Sequence, residues 1–494
     1  MKKNLSLKLT ITLLLAVILV IATILRLYDL GEESLWLDEC FTLEYASKPL
    51  SLLVETLKKD VHPMGYYLPQ HLLINYFGSG ELVLRILSVF FGVISVYLTY
   101  LLGKKLFSWK EGLLAAFFVA ISYTSILYSQ EAKMYSLFVA LFLLSLYCFI
   151  RLLEKASGLN LLLFSISSAL LLHTHVIGLV IFLIYIVFYV FLFIFAKKNI
   201  EITTSFLKKY TLSPRFFLVL LIVFLLYLPW LKMFASYQLP LLYHFLGAKI
   251  IEKLGINLLP IVMVSSLALT FAFLVFLYLI FLGKIDLSKW FGNKRFMQRI
   301  FSFFSDEVTL FFLILAFIIL DLLLSSYLFS SVSIVRFSFF MLPIGYLILS
   351  RNLLLMEKNY LANILFILLV LSASFELYTY YTVDSKEQFR EAAQYIQEET
   401  SPADVLYLHR AGITRTCFDY YYSGGIEEVR LVIPGSDDQL LIERAFGKED
   451  AYLLLSHNFH TGDYFPSRMN ELYQLKSEKR LIGITIYQYA VKKE

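Results

Sequence analysis

Apolar residues run in long unbroken stretches along most of this chain, near 7–28, 82–103, 111–128, 135–153, 160–174, 176–196, 215–234, 257–283, 308–329, 336–350 and 360–381. A helix needs roughly 20 apolar residues to cross the hydrocarbon core, so the pattern predicts about eleven crossings, two of them short. The first stretch is too long, and too far from any small-residue cleavage pattern, for a signal peptide, and it reads as a retained anchor. From Asp384 the pattern changes. Phe389, Ala392, Ala393 and Ile396 repeat at helical spacing behind a capping box of Ser385 and Gln388. Short apolar runs at 405–408, 429–433, 452–455 and 482–489 then predict a small sheet with helices packed on it. The expected fold is a polytopic α-helical membrane protein with a small C-terminal extracytoplasmic α/β domain. The transmembrane module spans 1–383 and includes a large outer loop at 29–81, and the soluble domain spans 384–494.

Composition strengthens the reading. With 59% of 494 residues hydrophobic and 16% charged, the chain cannot make an ordinary soluble surface and needs a lipid bilayer. Its 17% aromatic content suits belts at the headgroup level. The net charge of +5 comes largely from alternate loops: Lys2, Lys3 and Lys8; Lys104, Lys105 and Lys110; Arg151 and Lys155; Lys197, Lys198, Lys208 and Lys209; Lys284 to Arg299; Arg351 and Lys358. Cytoplasmic loops hold the basic excess, so the charge reports topology and not nucleic-acid binding. The N-terminus is expected in the cytoplasm of a multi-pass cell-membrane protein, with loop 29–81 and the tail together on the far side. Cys40, Cys148 and Cys417 are too few and too scattered for a disulfide scaffold or a zinc site, and no structural role is expected of them.

The candidate chemistry lies in the outer loops. Just after the first span the chain reads Ser34-Leu35-Trp36-Leu37-Asp38-Glu39-Cys40-Phe41-Thr42. Alone, this fits an interfacial Trp anchor followed by a solvated acidic turn as readily as an active site. The loop continues with Asp60-Val61-His62-Pro63-Met64-Gly65-Tyr66-Tyr67 before Glu81 and Arg85, and its length argues against mere connection. The next outer turn is Tyr128-Ser129-Gln130-Glu131-Ala132-Lys133-Met134-Tyr135. In order and sidedness these motifs resemble the polyprenyl-phosphate-sugar-dependent glycosyltransferases of the C-type superfold, in particular the protein O-mannosyltransferases and the aminoarabinose transferases that modify lipid A. An Asp-Glu pair after the first helix, a His-Pro or Lys-Pro step some twenty residues on and a Gln-Glu-Ala-basic-x-Tyr segment in the second outer loop are the shared marks. The resemblance runs from the first helix to about residue 200.

The resemblance implies inverting transfer of a monosaccharide from a polyprenyl-phosphate-linked sugar to an extracytoplasmic acceptor, with Asp38 as general base and Glu39 as its catalytic neighbour. Glu39 or Glu131 would orient the acceptor or bind a divalent metal ion, the one cofactor considered, while His62, Tyr135 and His175 would assist at the acceptor or metal. Arg85, Lys133 and Arg336, all expected near the outer surface, are the candidates for the donor phosphate; snorkelling to headgroups is the alternative for each. Two departures bear on substrate. Lys133 stands where Arg is common, which removes the bidentate fork. Met64 stands where the protein mannosyltransferases usually carry a second proline, so a protein acceptor is not inferred, and a cell-envelope glycan or glycolipid is favoured because the tail lacks the inserted repeats of the eukaryotic protein mannosyltransferases. His173 and His175 could mark a metal or a helix end, and Asp321, inside the ninth span, a functional or a hydroxyl-satisfied group. The rival class is a transporter or lipid-linked-sugar flippase, which would concentrate charge near the bilayer midplane and not in outer loops.

Overall fold

The structure is a computed structural model that describes residues 2–60, 62–196, 213–240, 339–356, 359–409, 411–431, 435, 437–456 and 464–491. The first helix, α1 (Lys2–Leu27), leads into a loop with three helices of its own, α2 (Leu37–Ala46), α3 (Leu50–Leu57) and α4 (Tyr67–Phe77). Then follow α5 (Glu81–Leu106), α6 (Trp109–Ile121), α7 (Tyr123–Leu127), α8 (Tyr135–Glu154), α9 (Gly158–Thr174), α10 (Ile177–Ala196), α11 (Phe216–Met233), α12 (Leu342–Leu355) and α13 (Asn359–Thr382). Among the described residues, five helices are long and apolar enough to cross a membrane: α1, α5, α8, α11 with its continuation to Gln238, and α13. The expected spans at 257–283 and 308–329, and with them Asp321, lie outside the described residues.

The bundle is built around α8, whose apolar sequence is buried on nearly every face. By contrast α13 is apolar all round yet has no buried residue, so Leu368, Leu371 and Phe375 face outward, as lipid-facing side chains do. Helices α5 and α6 approach closely at Gly103 and Gly112, where an added Cβ on either would sit 2.6 Å from a backbone atom of the other helix. One expected span differs. The run 111–128 breaks at Ser122 into α6 and α7, and Arg26 at the end of α1 explains the break. Its guanidinium, fully buried, donates to the Val119 and Ala120 carbonyls that the break frees, and to the Ser125 and Ser129 hydroxyls.

The tail forms α14 (Phe389–Glu399), β1 (Val405–His409), α15 (Ala411–Tyr421), β2 (Glu427–Leu431), α16 (Asp438–Glu443), β3 (Asp450–Ser456), α17 (Tyr464–Leu472), β4 (Gln474–Leu481) and β5 (Ile484–Ala490). The strands make one sheet ordered β2-β1-β3-β5-β4, with β1 parallel to β2 and β3, and β5 antiparallel to β3 and β4. Gly483, at φ 70°, turns the β4–β5 hairpin. The stripe Phe389, Ala392, Ala393 and Ile396 is buried, but the capping box does not form. Gln388 is the N-cap residue, and its Oε1 accepts from Ile482 N at 3.0 Å, whereas Ser385 N donates to Glu33 at 2.8 Å.

That last contact is one of many between tail and loop. Arg390 pairs with Glu81 at 2.5 Å and donates to the Glu32 carbonyl, and the Tyr420 and Tyr421 hydroxyls reach Ser79 O and Glu81. Cys40 and Cys417 form a disulfide, contrary to the expectation that neither has a structural role. They are 377 positions apart, a distance over which no spacing rule pairs cysteines, and they become neighbours only once the tail packs on the loop.

Candidate active site

The adjacent acids Asp38 and Glu39 open α2, and a helix sends consecutive side chains about 100° apart. Glu39 turns inward and is completely buried. Arg85, from the first turns of α5, meets it with a bidentate pair at 2.9 and 2.8 Å. Ala132 N donates to Oε1 at 2.8 Å and Trp36 N to Oε2 at 3.4 Å, and the Lys386 ammonium stands 3.6 Å away. Burial alone would raise this carboxyl, but the Arg85 and Lys386 charges and these hydrogen bonds outweigh it and hold the group at about 2. Arg85 spends its remaining N–H groups on the carbonyls of Leu30, Glu33 and Ser34.

Two expectations change as a result. A guanidinium has five N–H donors, and all five on Arg85 are engaged within the protein, so Arg85 holds Glu39 and the end of the first span and has no donor left for a phosphate. Glu39 likewise has both oxygens saturated by donors, which fits neither a base nor a metal ligand. Among the described residues no group of three or more His, Cys, Asp or Glu is placed to hold a metal ion. Glu131 is buried and acts electrostatically on Lys386.

Asp38 points the other way and is half-buried. Its charge is felt by Tyr67, as are those of Asp60, Tyr45 and Tyr135. Around it the loop and the second outer turn converge. Asp60 accepts from the His62 ring Nδ1 at 2.6 Å and from His62 N at 2.9 Å, so one carboxylate fixes both the backbone and the ring of this residue. Burial would raise Asp60, yet His62 and the nearby Lys133 charge bring it down to about 2. The His62 ring lies 5.9 Å from that of His175, and burial followed by the His62 charge lowers His175 to about 3, which keeps it a neutral imidazole. Lys133 is buried with its ammonium 5.9 Å from the Tyr67 ring centre. Burial, with the surrounding carboxylates, drives Tyr67 well above its ordinary value, so it remains a phenol, and its fully buried hydroxyl has no hydrogen-bond partner among the described residues. Tyr135 stacks edge-on against Tyr128 at 5.0 Å.

The His-Pro step is held from two sides. Gly65 N donates to His173 O at 2.7 Å, in a contact so close that a Cβ there would lie 2.4 Å from the same oxygen. From α11, Trp230 Nε1 donates to Gln238, whose amide donates to His62 O at 3.0 Å. His173 itself bonds Leu226 O at 3.2 Å, as a helix-end histidine. Thus Asp38, His62, Lys133, Tyr135 and His175 are gathered in one region, Glu39 and Arg85 form its buried support, and Arg336 lies outside the described residues. Sequence reasoning missed Asp60, Tyr67 and Lys386. Asp60 was signalled by its position two before His62, whereas nothing in the local sequence marks a lysine from residue 386 as a neighbour of residue 39.

Residues 60–232 match the sequence model of the dolichyl-phosphate-mannose-protein mannosyltransferases, a segment that takes in Asp60, His62, Lys133 and His175 and leaves out Asp38. No curated protein sequence matches the chain. Among solved structures, the oligosaccharyltransferase of Archaeoglobus fulgidus tethered to an acceptor peptide aligns with a TM-score of 0.54 and 13% identity, over 98% of this chain and 74% of that one. The same protein, AglB, in complex with an inhibitory peptide and a dolichol-phosphate aligns at 0.53 and 12%, over 97% and 74%. ArnT from Cupriavidus metallidurans in the apo state covers 98% of both chains at 11% identity, with a TM-score of 0.46. The chain therefore shares its fold with the Archaeoglobus fulgidus oligosaccharyltransferase, and over residues 60–232 it is similar in sequence to the dolichyl-phosphate-mannose-protein mannosyltransferase family.

Proposed function

We propose that this protein is a membrane glycosyltransferase that moves a monosaccharide from a polyprenyl-phosphate donor to an extracytoplasmic acceptor with inversion, with Asp38 as general base. One observation carries the reading. Segments 38–39, 60–67 and 130–135, far apart in sequence, meet so that a half-buried carboxylate shares its surroundings with a buried ammonium, a neutral phenol and an Asp–His pair.

In the proposed step, the acceptor oxygen bonds to the anomeric carbon as its proton passes to the Asp38 carboxylate. The bond from that carbon to the phosphate oxygen breaks, and its electrons leave with the polyprenyl phosphate. A carboxylate suits this base, because the acceptor hydroxyl acidifies as the bond forms. Lys133 is proposed to stabilise the charge that grows on the leaving phosphate, with Arg336 as a second cation there. A cell-envelope glycan or glycolipid is the acceptor class favoured by a tail without the inserted repeats of the eukaryotic protein mannosyltransferases, and the outer face is proposed for loop and tail because the opposite loops carry the Lys and Arg excess.

Purified protein in detergent, given a radiolabelled polyprenyl-phosphate sugar and envelope lipid acceptors, should yield labelled glycolipid and free polyprenyl phosphate in equal amounts. Movement of the intact lipid-linked sugar across proteoliposomes without any release of polyprenyl phosphate would replace this reading with the flippase.

A further inference from the structure

Helix α2 starts at Trp36, a residue with no side-chain oxygen to receive the free N–H groups of the first turn. One of those groups, and the chain just before the helix, are held by the tail. Leu37 N donates to the Glu387 carboxylate at 3.1 Å, and Leu35 N donates to the Tyr421 hydroxyl at 2.8 Å. The Ser34 hydroxyl donates to the Glu387 carbonyl, and the Cys40 sulfur is bonded to Cys417. On the inner side, Lys386 adds its charge to Arg85 against Glu39. Every one of these groups but Arg85 belongs to the tail, and they grip the chain on both sides of Asp38, at 34, 35, 37, 39 and 40.

Building on the transferase reading, we propose that the tail domain is a positioning device for the general base, with Glu387, Tyr421 and Cys417 as positioning residues that set where the Asp38 carboxylate stands. None of the three needs to touch a substrate. Their effect is geometric: misplacement of a reacting group by about 1 Å can cost on the order of 10²-fold in rate, and a helix start released from its cap is free to shift by that much. The acidic Glu387 is also well chosen for the place, since a negative charge at a helix N-terminus is favoured by the macrodipole.

The test uses the full-length protein. Glu387→Ala and Cys417→Ser should each lower kcat by about tenfold or more while KM for the lipid-linked donor stays within about twofold, and Glu387→Gln, which keeps the acceptor oxygen, should restore most of the rate. An impermeant phosphine that reduces the disulfide in the unmodified protein should reproduce the Cys417→Ser loss without any substitution. A second readout needs no transfer at all. In an Asp38→Cys variant with the disulfide intact, maleimide labelling of residue 38 should speed up by about threefold or more when Glu387→Ala is added, because the loop opens more often. Unchanged kcat together with unchanged labelling overturns the proposal, as does a loss carried wholly in KM. If the parent protein transfers no sugar, the transferase reading fails by itself, and the labelling ratio decides the positioning claim alone.

Discussion

Asp38 and Glu39 share a sequence environment and almost nothing else. One is half-buried beside a phenol and an ammonium; the other is sealed under two cations. Their amide variants should separate accordingly. Asp38→Asn keeps size and polarity but cannot take a proton, so transfer should fall by about 10²-fold or more with donor binding retained, as equilibrium binding of the lipid-linked sugar will report. Glu39→Gln removes the counter-ion of a buried guanidinium, and breaking such a pair costs about 3–5 kcal/mol, so this variant should lose stability first and activity only through it. The same pair makes stability depend on pH. Folding holds Glu39 at about 2, below its ordinary value, so its contribution is complete above the unfolded carboxyl's pKa and fades as pH falls from there through about 2. Thermal unfolding in detergent between pH 6 and pH 2.5 should show that loss, and the Glu39→Gln variant should lack it. From sequence, only the resemblance separates the two acids by giving Asp38 the base's role; in the structure Arg85, forty-six positions on from Glu39, separates them physically.

At the scale of elements, apolar runs located the five described helices long enough to cross a bilayer, α1, α5, α8, α11 and α13, because such a run admits few other readings. The misses have definite causes. Ser122 breaks an expected span because Arg26 supplies donors from another helix, a contact that hydropathy does not register. Strand β4 escaped notice because it is an edge strand with a polar, mostly exposed sequence, QLKSEKRL, and alternation fails where no face is buried. The loop between α3 and α4 carries a further test. Gly65 sits against the His173 carbonyl with no room for a side chain, so Gly65→Ala must push the His62 turn off the end of α9. A cost of about 1–3 kcal/mol in stability is expected from such overpacking. The melting temperature reports the stability loss, and a parallel fall in transfer would follow from the displaced Asp60–His62 pair.

For the molecule as a whole, the shared face of loop and tail is a matter of direct contact, while the compartment is a proposal that rests on the charge distribution. Ser51 in α3 and Ser157 before α9 should fall on opposite sides, so that Ser51→Cys is labelled by an impermeant maleimide from outside intact cells and Ser157→Cys only after permeabilisation. The long reach from residue 39 to residue 386, and from Cys40 to Cys417, also governs timing during synthesis. The groups that complete the first loop emerge from the ribosome well after it, with Cys417 following Cys40 by 377 residues. At elongation rates of about 5–20 residues per second, the nascent chain would spend on the order of twenty seconds or more with an unfinished base. On the proposed reading, transfer activity must wait until the tail has packed on the loop. Pulse-chase labelling should accordingly show the oxidised form, recognised by its faster migration without reductant, only after full-length chains appear, and chains truncated after Val383 should reach the membrane without acquiring transfer activity.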